Sequence, residues 1–245
     1  MSRALPIYRL RAVNYATESD NKIHDDAVAA AYGFRGGLVP GVGVYGYMTV
    51  PIVKFAPEWL AHGSMQVRFY QPVYDGDEVV VRGEVEDDGS IRVTAEREDG
   101  TVCGEGTARV RHSAEPPTEL LPAHPLPHDR PVPSRETVIP GTTLGTVIEK
   151  IEIAEPRQAL QFSNEMLARN FKLGPWIHAA SEVSNWSAAR QGEEISARGR
   201  VHDRFDRKGH EFVVIDVMLI GEDSRLVQTV RHTAIYKPRI AASAQ

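Results

Sequence analysis

The chemistry-bearing residues of this chain crowd into one stretch, Ser19 to Gly43. Asp20, Asn21 and His24 fall within five positions, ahead of an alanine-rich run, and the stretch closes on Gly36-Gly37-Leu38-Val39-Pro40-Gly41-Val42-Gly43. Histidine titrates near neutrality, so beside a carboxylate it can hold and activate a water or relay a proton. An asparagine at position 21 can donate and accept hydrogen bonds and so fix the loop, with Ser19 next to it. Gly41, Val42 and Gly43 follow a proline and open an apolar run. Free amide hydrogens at such a helix start favour a developing negative charge, and glycine admits a ligand close to the backbone. These are the parts for proton transfer beside a polarised carbonyl. The same residues also read as plain helix caps, with Asp25 and Asp26 complementing a first-turn dipole.

The flanking chain must supply the scaffold. Residues 7–15 alternate as a strand, residues 25–32 read as a short helix, and residues 42–60 are apolar nearly all round, as in a helix buried on every side. Pro51 and Pro57 predict a kink or an early end to that helix. Four strand-like runs follow, near 63–72, 77–87, 90–98 and 101–112, broken at Asp75-Gly76, Asp88-Gly89 and Asp99-Gly100. A strand, a long helix and an antiparallel sheet make an α+β unit of the hotdog type, a curled sheet around one central helix.

Residues 113–141 are proline-rich and predict an extended linker. Beyond it the pattern recurs. At an offset of 116, residues 62–87 and 178–203 share eight identities in 26 positions, among them His62/His178, Gly76/Gly192 and Arg82/Arg198. Unrelated segments share roughly one or two. The expected organisation is a hotdog over 1–112, the linker 113–141, and a second hotdog over 142–238 with its helix near 155–172. No room remains between Ile153 and Pro156 for a second Asp-Asn-His loop, so one site per chain is expected.

Composition excludes several functions. A net charge of -5 with no Lys/Arg block argues against nucleic-acid binding, and no apolar run approaches the roughly 20 residues of a membrane span. The single cysteine, Cys103, precludes an internal disulfide and fits a reducing, cytoplasmic setting. The histidines show no compact metal spacing, so no metal is expected. His62 and His178, equated by the repeat, read as sharing a structural role at a strand start. Trp59, Trp176 and Trp186 read as packing.

The Ser19–Gly43 stretch resembles the signature of the MaoC-like hydratases, the (R)-specific enoyl-CoA hydratases and related 3-hydroxyacyl dehydratases. Asn21, Ile23, His24, Asp26, Ala29, Gly33, Phe34, Gly37 and Gly41 stand where that pattern expects them. Asp20 precedes His24 by four residues rather than five, so either it or Ser19 occupies the aspartate position; Lys22 replaces a proline and Pro40 a histidine. The resemblance implies a double hotdog, in which Asp20 and His24 form the catalytic pair and the backbone of Gly41, Val42 and Gly43 faces a thioester oxygen. It implies a hydro-lyase interconverting trans-2-enoyl and 3-hydroxyacyl thioesters of coenzyme A or acyl carrier protein, without a cofactor, as a monomer or a homodimer of double-hotdog units. Two alternatives stay open: a thioesterase using Glu165 on the second central helix, where Asn164 also lies, and a non-catalytic acyl-binding subunit.

Overall fold

The computed structural model describes residues 3–241. The first half runs β1 (Arg3–Ala4), β2 (Tyr8–Arg11), α1 (Asp26–Ala31), α2 (Gly41–Phe55), α3 (Trp59–His62), β3 (Gly63–Phe69), β4 (Glu78–Val85), β5 (Ile91–Arg97) and β6 (Val102–Val110). The second runs β7 (Thr143–Lys150), α4 (Pro156–Asn170), β8 (Ile177–Asn185), β9 (Glu194–Arg207), β10 (His210–Ile220) and β11 (Leu226–Lys237).

Alternation drives the strands: along β6, Gly104, Gly106 and Ala108 are buried while Glu105, Thr107 and Arg109 are exposed. The turns carry glycine where the backbone is left-handed, at Gly76, Gly89, Gly100 and Gly192, with φ between +78° and +84°. Gly76 and Gly192 thus perform the same turn in the two halves, as the sequence repeat requires.

The expectation of two separate sheets is corrected. All eleven strands among the described residues belong to one antiparallel sheet, ordered β1-β4-β5-β6-β3-β8-β11-β10-β9-β7 with β2 also on β4. The cause is edge pairing between the halves. Strands β3 and β8 each have a free edge, and their antiparallel ladder satisfies backbone groups that would otherwise stay open. In that ladder Gln66 lies opposite Glu182, the two positions equated by the offset of 116, so the halves meet about an approximate two-fold axis.

The helices α2 and α4 lie on the inner face of the sheet and pack against each other. From α2, Val42, Val44, Tyr45, Met48 and Ile52 are buried; from α4, Leu160, Phe162, Met166 and Leu167 are. Pro51 does not end α2, which continues to Phe55; Pro51 and Ile52 are both buried there, and apolar burial outweighs the one backbone hydrogen bond that proline forfeits. The chain turns instead before Pro57.

Residues 113–141 form no helix or strand but are tied to the second half. The His124 carbonyl accepts from the Thr146 amide at 2.7 Å, and the Pro131 carbonyl from the Lys172 amide at 2.9 Å.

Across the seam, the buried Asn185 amide donates to the Trp59 carbonyl at 3.0 Å, and its oxygen accepts from Gln228 at 2.9 Å. Truncating it strands both partners. Asn185→Ala is expected to lower unfolding free energy by about 1–3 kcal/mol in urea denaturation; an unchanged midpoint would mean the seam does not depend on this side chain.

Candidate functional site

His24 ends a short 3-10 turn, Lys22–His24, that runs into α1. Its imidazole is held chiefly through Nδ1, which lies 2.6 Å from the Leu38 carbonyl oxygen. A carbonyl can only accept, so Nδ1 carries the proton and Nε2 presents its lone pair. The loop is anchored by its own backbone, with the Asn14 amide donating to the His24 carbonyl at 2.9 Å and the Leu38 amide donating to the Ile23 carbonyl at 3.2 Å. Residue 37 must be glycine, since a Cβ there would come within 2.0 Å of the His24 carbonyl oxygen. The capping reading of the motif also holds in part: Asp25 accepts from the Val28 amide at 3.0 Å and starts α1.

Asn21 joins this loop to the other half. Its amide nitrogen donates to the Trp176 carbonyl at 3.0 Å, and its oxygen accepts from the Trp176 amide at 3.1 Å. The same nitrogen lies 3.3 Å from His24 Nε2, at the long end for a hydrogen bond. Trp176, expected only to pack, therefore also pairs through its backbone with the motif. Ser19 is a loop fastener, its hydroxyl on the Asn21 carbonyl at 3.3 Å and its own carbonyl taking the Lys22 ammonium at 2.9 Å.

Two cavities meet at His24. One is a slot of about 230 Å³ walled by Phe34, Val39, Val44, Phe69, Val73 and Ile177. The other is a wider cleft of about 820 Å³, with Arg130, Arg157, Gln161, Glu165 and Lys172 on its walls. Five residues line both and mark the neck: Asn21, His24, Pro40, Asn164 and Trp176.

Burial at this neck pulls the His24 pKa below its ordinary value, against the weaker pull of the Leu38 carbonyl, so the ring is neutral at neutral pH. Opposite stands the start of α2. Gly41 lines the slot, and neither its amide nor that of Val42 has a hydrogen-bond partner among the described residues. The Gly43 amide is already committed to the Pro40 carbonyl at 2.8 Å, so the expected trio of donors reduces to Gly41 and Val42. Asp20 is exposed on the rim of the cleft and makes no hydrogen bond to His24.

Asn164 faces the neck from α4. It is 7% exposed; its amide nitrogen donates to Gln161 at 3.3 Å, while its oxygen is buried without a partner. Glu165 lines only the cleft, where it accepts from Gln161 at 3.0 Å and lies 3.8 Å from Arg169.

The repeat equated His62 with His178, but their surroundings differ. His62 ends α3 with its ring 5.9 Å from that of His112. His178 lines the slot, fully enclosed, with Nε2 on the Ser181 hydroxyl at 2.8 Å; that oxygen also contacts His232 Nδ1 at 3.0 Å. A shared structural role is therefore corrected: β8 pairs with β11, placing Ser181 opposite His232, and no such neighbour serves His62. Burial pushes the His178 pKa down to about 3, and that of His232 well below its ordinary value.

Asn21→Ala removes both bonds to Trp176 and is expected to destabilise the protein by about 1–3 kcal/mol and to broaden the His24 ring signals in NMR spectra. Titrated by NMR, His24 itself should show a midpoint below the ordinary value of about 6.5. His178 and His232 set a pH dependence of stability. Their folded pKa values lie below the unfolded value, so the unfolded chain binds more protons, and stability falls as pH drops from about 6.5 toward 3. Unfolding in urea across that window should show a shallower slope for His232→Gln than for the parent.

No family model matches the chain, and no curated protein matches it in sequence. Solved structures do match in shape. A conserved hypothetical protein from Mycobacterium tuberculosis, described as having a double hotdog fold, superposes with a TM-score of 0.64 at 12% identity, covering 94% of this chain and 96% of that one. A Chloroflexus aurantiacus protein provisionally classed as a MaoC-domain dehydratase gives a TM-score of 0.59 at 12% identity over 98% and 95%. The acyl-CoA thioesterase II of Mycobacterium marinum also gives 0.59, at 16% identity over 82% and 90%. With its two repeated halves on one sheet, this chain has the double hotdog fold.

Proposed function

We propose that this chain acts on acyl thioesters, and that its reaction is the reversible addition of water to a trans-2-enoyl thioester. The observation that carries the reading is the placement of His24. A neutral imidazole, with its proton pinned on Nδ1 by Leu38 and its Nε2 lone pair at the neck, joins an apolar slot of acyl-chain character to a polar cleft. The acyl tail occupies the slot and the carrier arm lies in the cleft. Solved structures similar in shape to this one include a protein provisionally classed as a MaoC-domain dehydratase and an acyl-CoA thioesterase.

In this reading a water at the neck donates one hydrogen to His24 Nε2 and the other to the unpartnered Asn164 oxygen. His24 takes the proton as the water oxygen bonds to C3, electrons shift to the thioester oxygen, and the amides of Gly41 and Val42 stabilise that charge. The imidazolium then returns the proton to the α carbon. Atoms balance, and one base suffices. Asn21 holds the loop, and Asp20 stays on the rim of the cleft. The carrier is coenzyme A or an acyl carrier protein, and the cytoplasm is the compartment.

The test is hydration of crotonyl-CoA and longer enoyl-CoA thioesters, followed by loss of the enoyl absorbance. His24→Ala should lower kcat by at least about 100-fold while the protein stays folded; unaltered turnover in that variant rejects the assignment. A second reading rests on Glu165, a carboxylate in the same cleft. Release of free thiol from saturated acyl-CoA, abolished by Glu165→Gln and indifferent to His24→Ala, selects a thioesterase instead.

A further inference from the structure

The enclosed cluster of His178, Ser181 and His232 has no part in the reaction as written, yet it reaches the slot. The His178 ring is 5% exposed, lines the slot, and sits edge-on to Phe69 with ring centroids 4.8 Å apart. Its Nε2 is engaged by Ser181, whereas its Nδ1 is buried without a partner. That free nitrogen lies at the start of α2: a Cβ on Gly41 would come within 2.9 Å of it, which is why position 41 must be glycine.

The protons of the cluster can be placed by elimination. The Ser181 hydroxyl carries one hydrogen and contacts two imidazole nitrogens, so the chain of bonds runs in one direction or the other. If it runs from His178 to His232, His232 Nε2 carries a hydrogen that is buried with no acceptor. If it runs from His232 Nδ1 to Ser181 to His178 Nε2, the leftover atom at His232 is a bare acceptor, and the leftover hydrogen sits on His178 Nδ1 at the slot. Either direction leaves one unpartnered hydrogen; on His232, which is 0% exposed and does not line the slot, nothing could accept it, whereas on His178 Nδ1 it borders the slot, where a ligand or water oxygen can, so the second direction is favoured.

We propose that His178 Nδ1–H is a third donor to the thioester oxygen, converging with the amides of Gly41 and Val42, and that Ser181 and His232 hold it in that tautomer. The inference rests on the acyl-thioester reading and adds to it a catalytic residue from the half that lacks the motif loop. It also states the substrate requirement: a carbonyl oxygen must sit at the head of the slot, so a chain of the same length without one loses this contact.

The experiment uses the full chain with 15N-labelled histidine and two probes, hexanoyl-CoA and its thioether analogue hexyl-CoA, which lacks the carbonyl. Expected is a His178 signal from a ring protonated at Nδ1, shifted by hexanoyl-CoA but not by hexyl-CoA, and a tighter Kd for hexanoyl-CoA. In His178→Asn, whose amide can stand near Nδ1, the preference should persist in part. In His178→Gln and His178→Phe it should fall by tenfold or more, with kcat on crotonyl-CoA down on the order of 100-fold, the usual cost of one lost oxyanion donor. A bare Nδ1, or the same response to both probes, overturns the proposal while leaving the His24 assignment standing. Failure of both probes to bind overturns both. The parent's spectrum decides even if a variant fails to fold.

Discussion

The edge-to-edge ladder between β3 and β8 is the interaction on which the molecule depends. Each half is an incomplete object: a curved sheet with one open edge and one helix whose inner face needs cover. Joining the two edges closes the ladder and lays α2 alongside α4, and the gap left between the start of α2 and the middle of α4 becomes the slot. The motif loop comes from the first half and the opposite wall from Trp176, Ile177 and His178 in the second. Neither half alone encloses a cavity there, so the site is a property of the pairing.

Electrostatics follows from that enclosure. Three imidazoles are drawn under the joined sheets, and burial disfavours the charged form of each. Charge is thereby excluded from the neck, where a positive ring would repel the positive end of α2. What remains is a set of neutral donors and acceptors with fixed directions: the Nε2 lone pair of His24, the Asn164 oxygen, and the free amides of Gly41 and Val42. A site of this kind responds to dipoles and transient charge, which suits a polar head on an apolar tail. Arg130, Arg157 and Lys172, the cationic groups, are kept to the outer cleft.

Much of the scaffold was legible from short-range signals. Asp-Gly pairs marked the turns because glycine adopts at little cost the left-handed backbone found at Gly76, Gly89 and Gly100. The offset of 116 announced two like halves because equivalent positions meet equivalent demands. The single sheet was not legible, since edge pairing between halves leaves no local pattern in either strand. At the site, His24 was visible through its neighbours in sequence, and so was the apolar run after Gly41. Asn164 was noticed but could not be aimed, since a helix alone does not say which face meets a loop more than a hundred residues away. His178 and His232 were read apart because their separation of 54 residues conceals a direct cross-strand neighbour, Ser181, that only the β8–β11 register reveals. The Gly43 amide failed as a donor for a similar reason: the first turn of α2 bends back on Pro40, which composition does not show.

Because both halves belong to one polypeptide, the approximate two-fold axis is free to be broken. In a symmetric homodimer every replacement is made twice, and a residue good for one copy of a site is imposed on the other. Here the loop with His24 exists once, His62 and His178 have drifted into unlike settings, and Pro-rich chain is fastened along one half only. Covalent fusion has allowed division of labour, with each lobe answerable for a different wall of a common chamber.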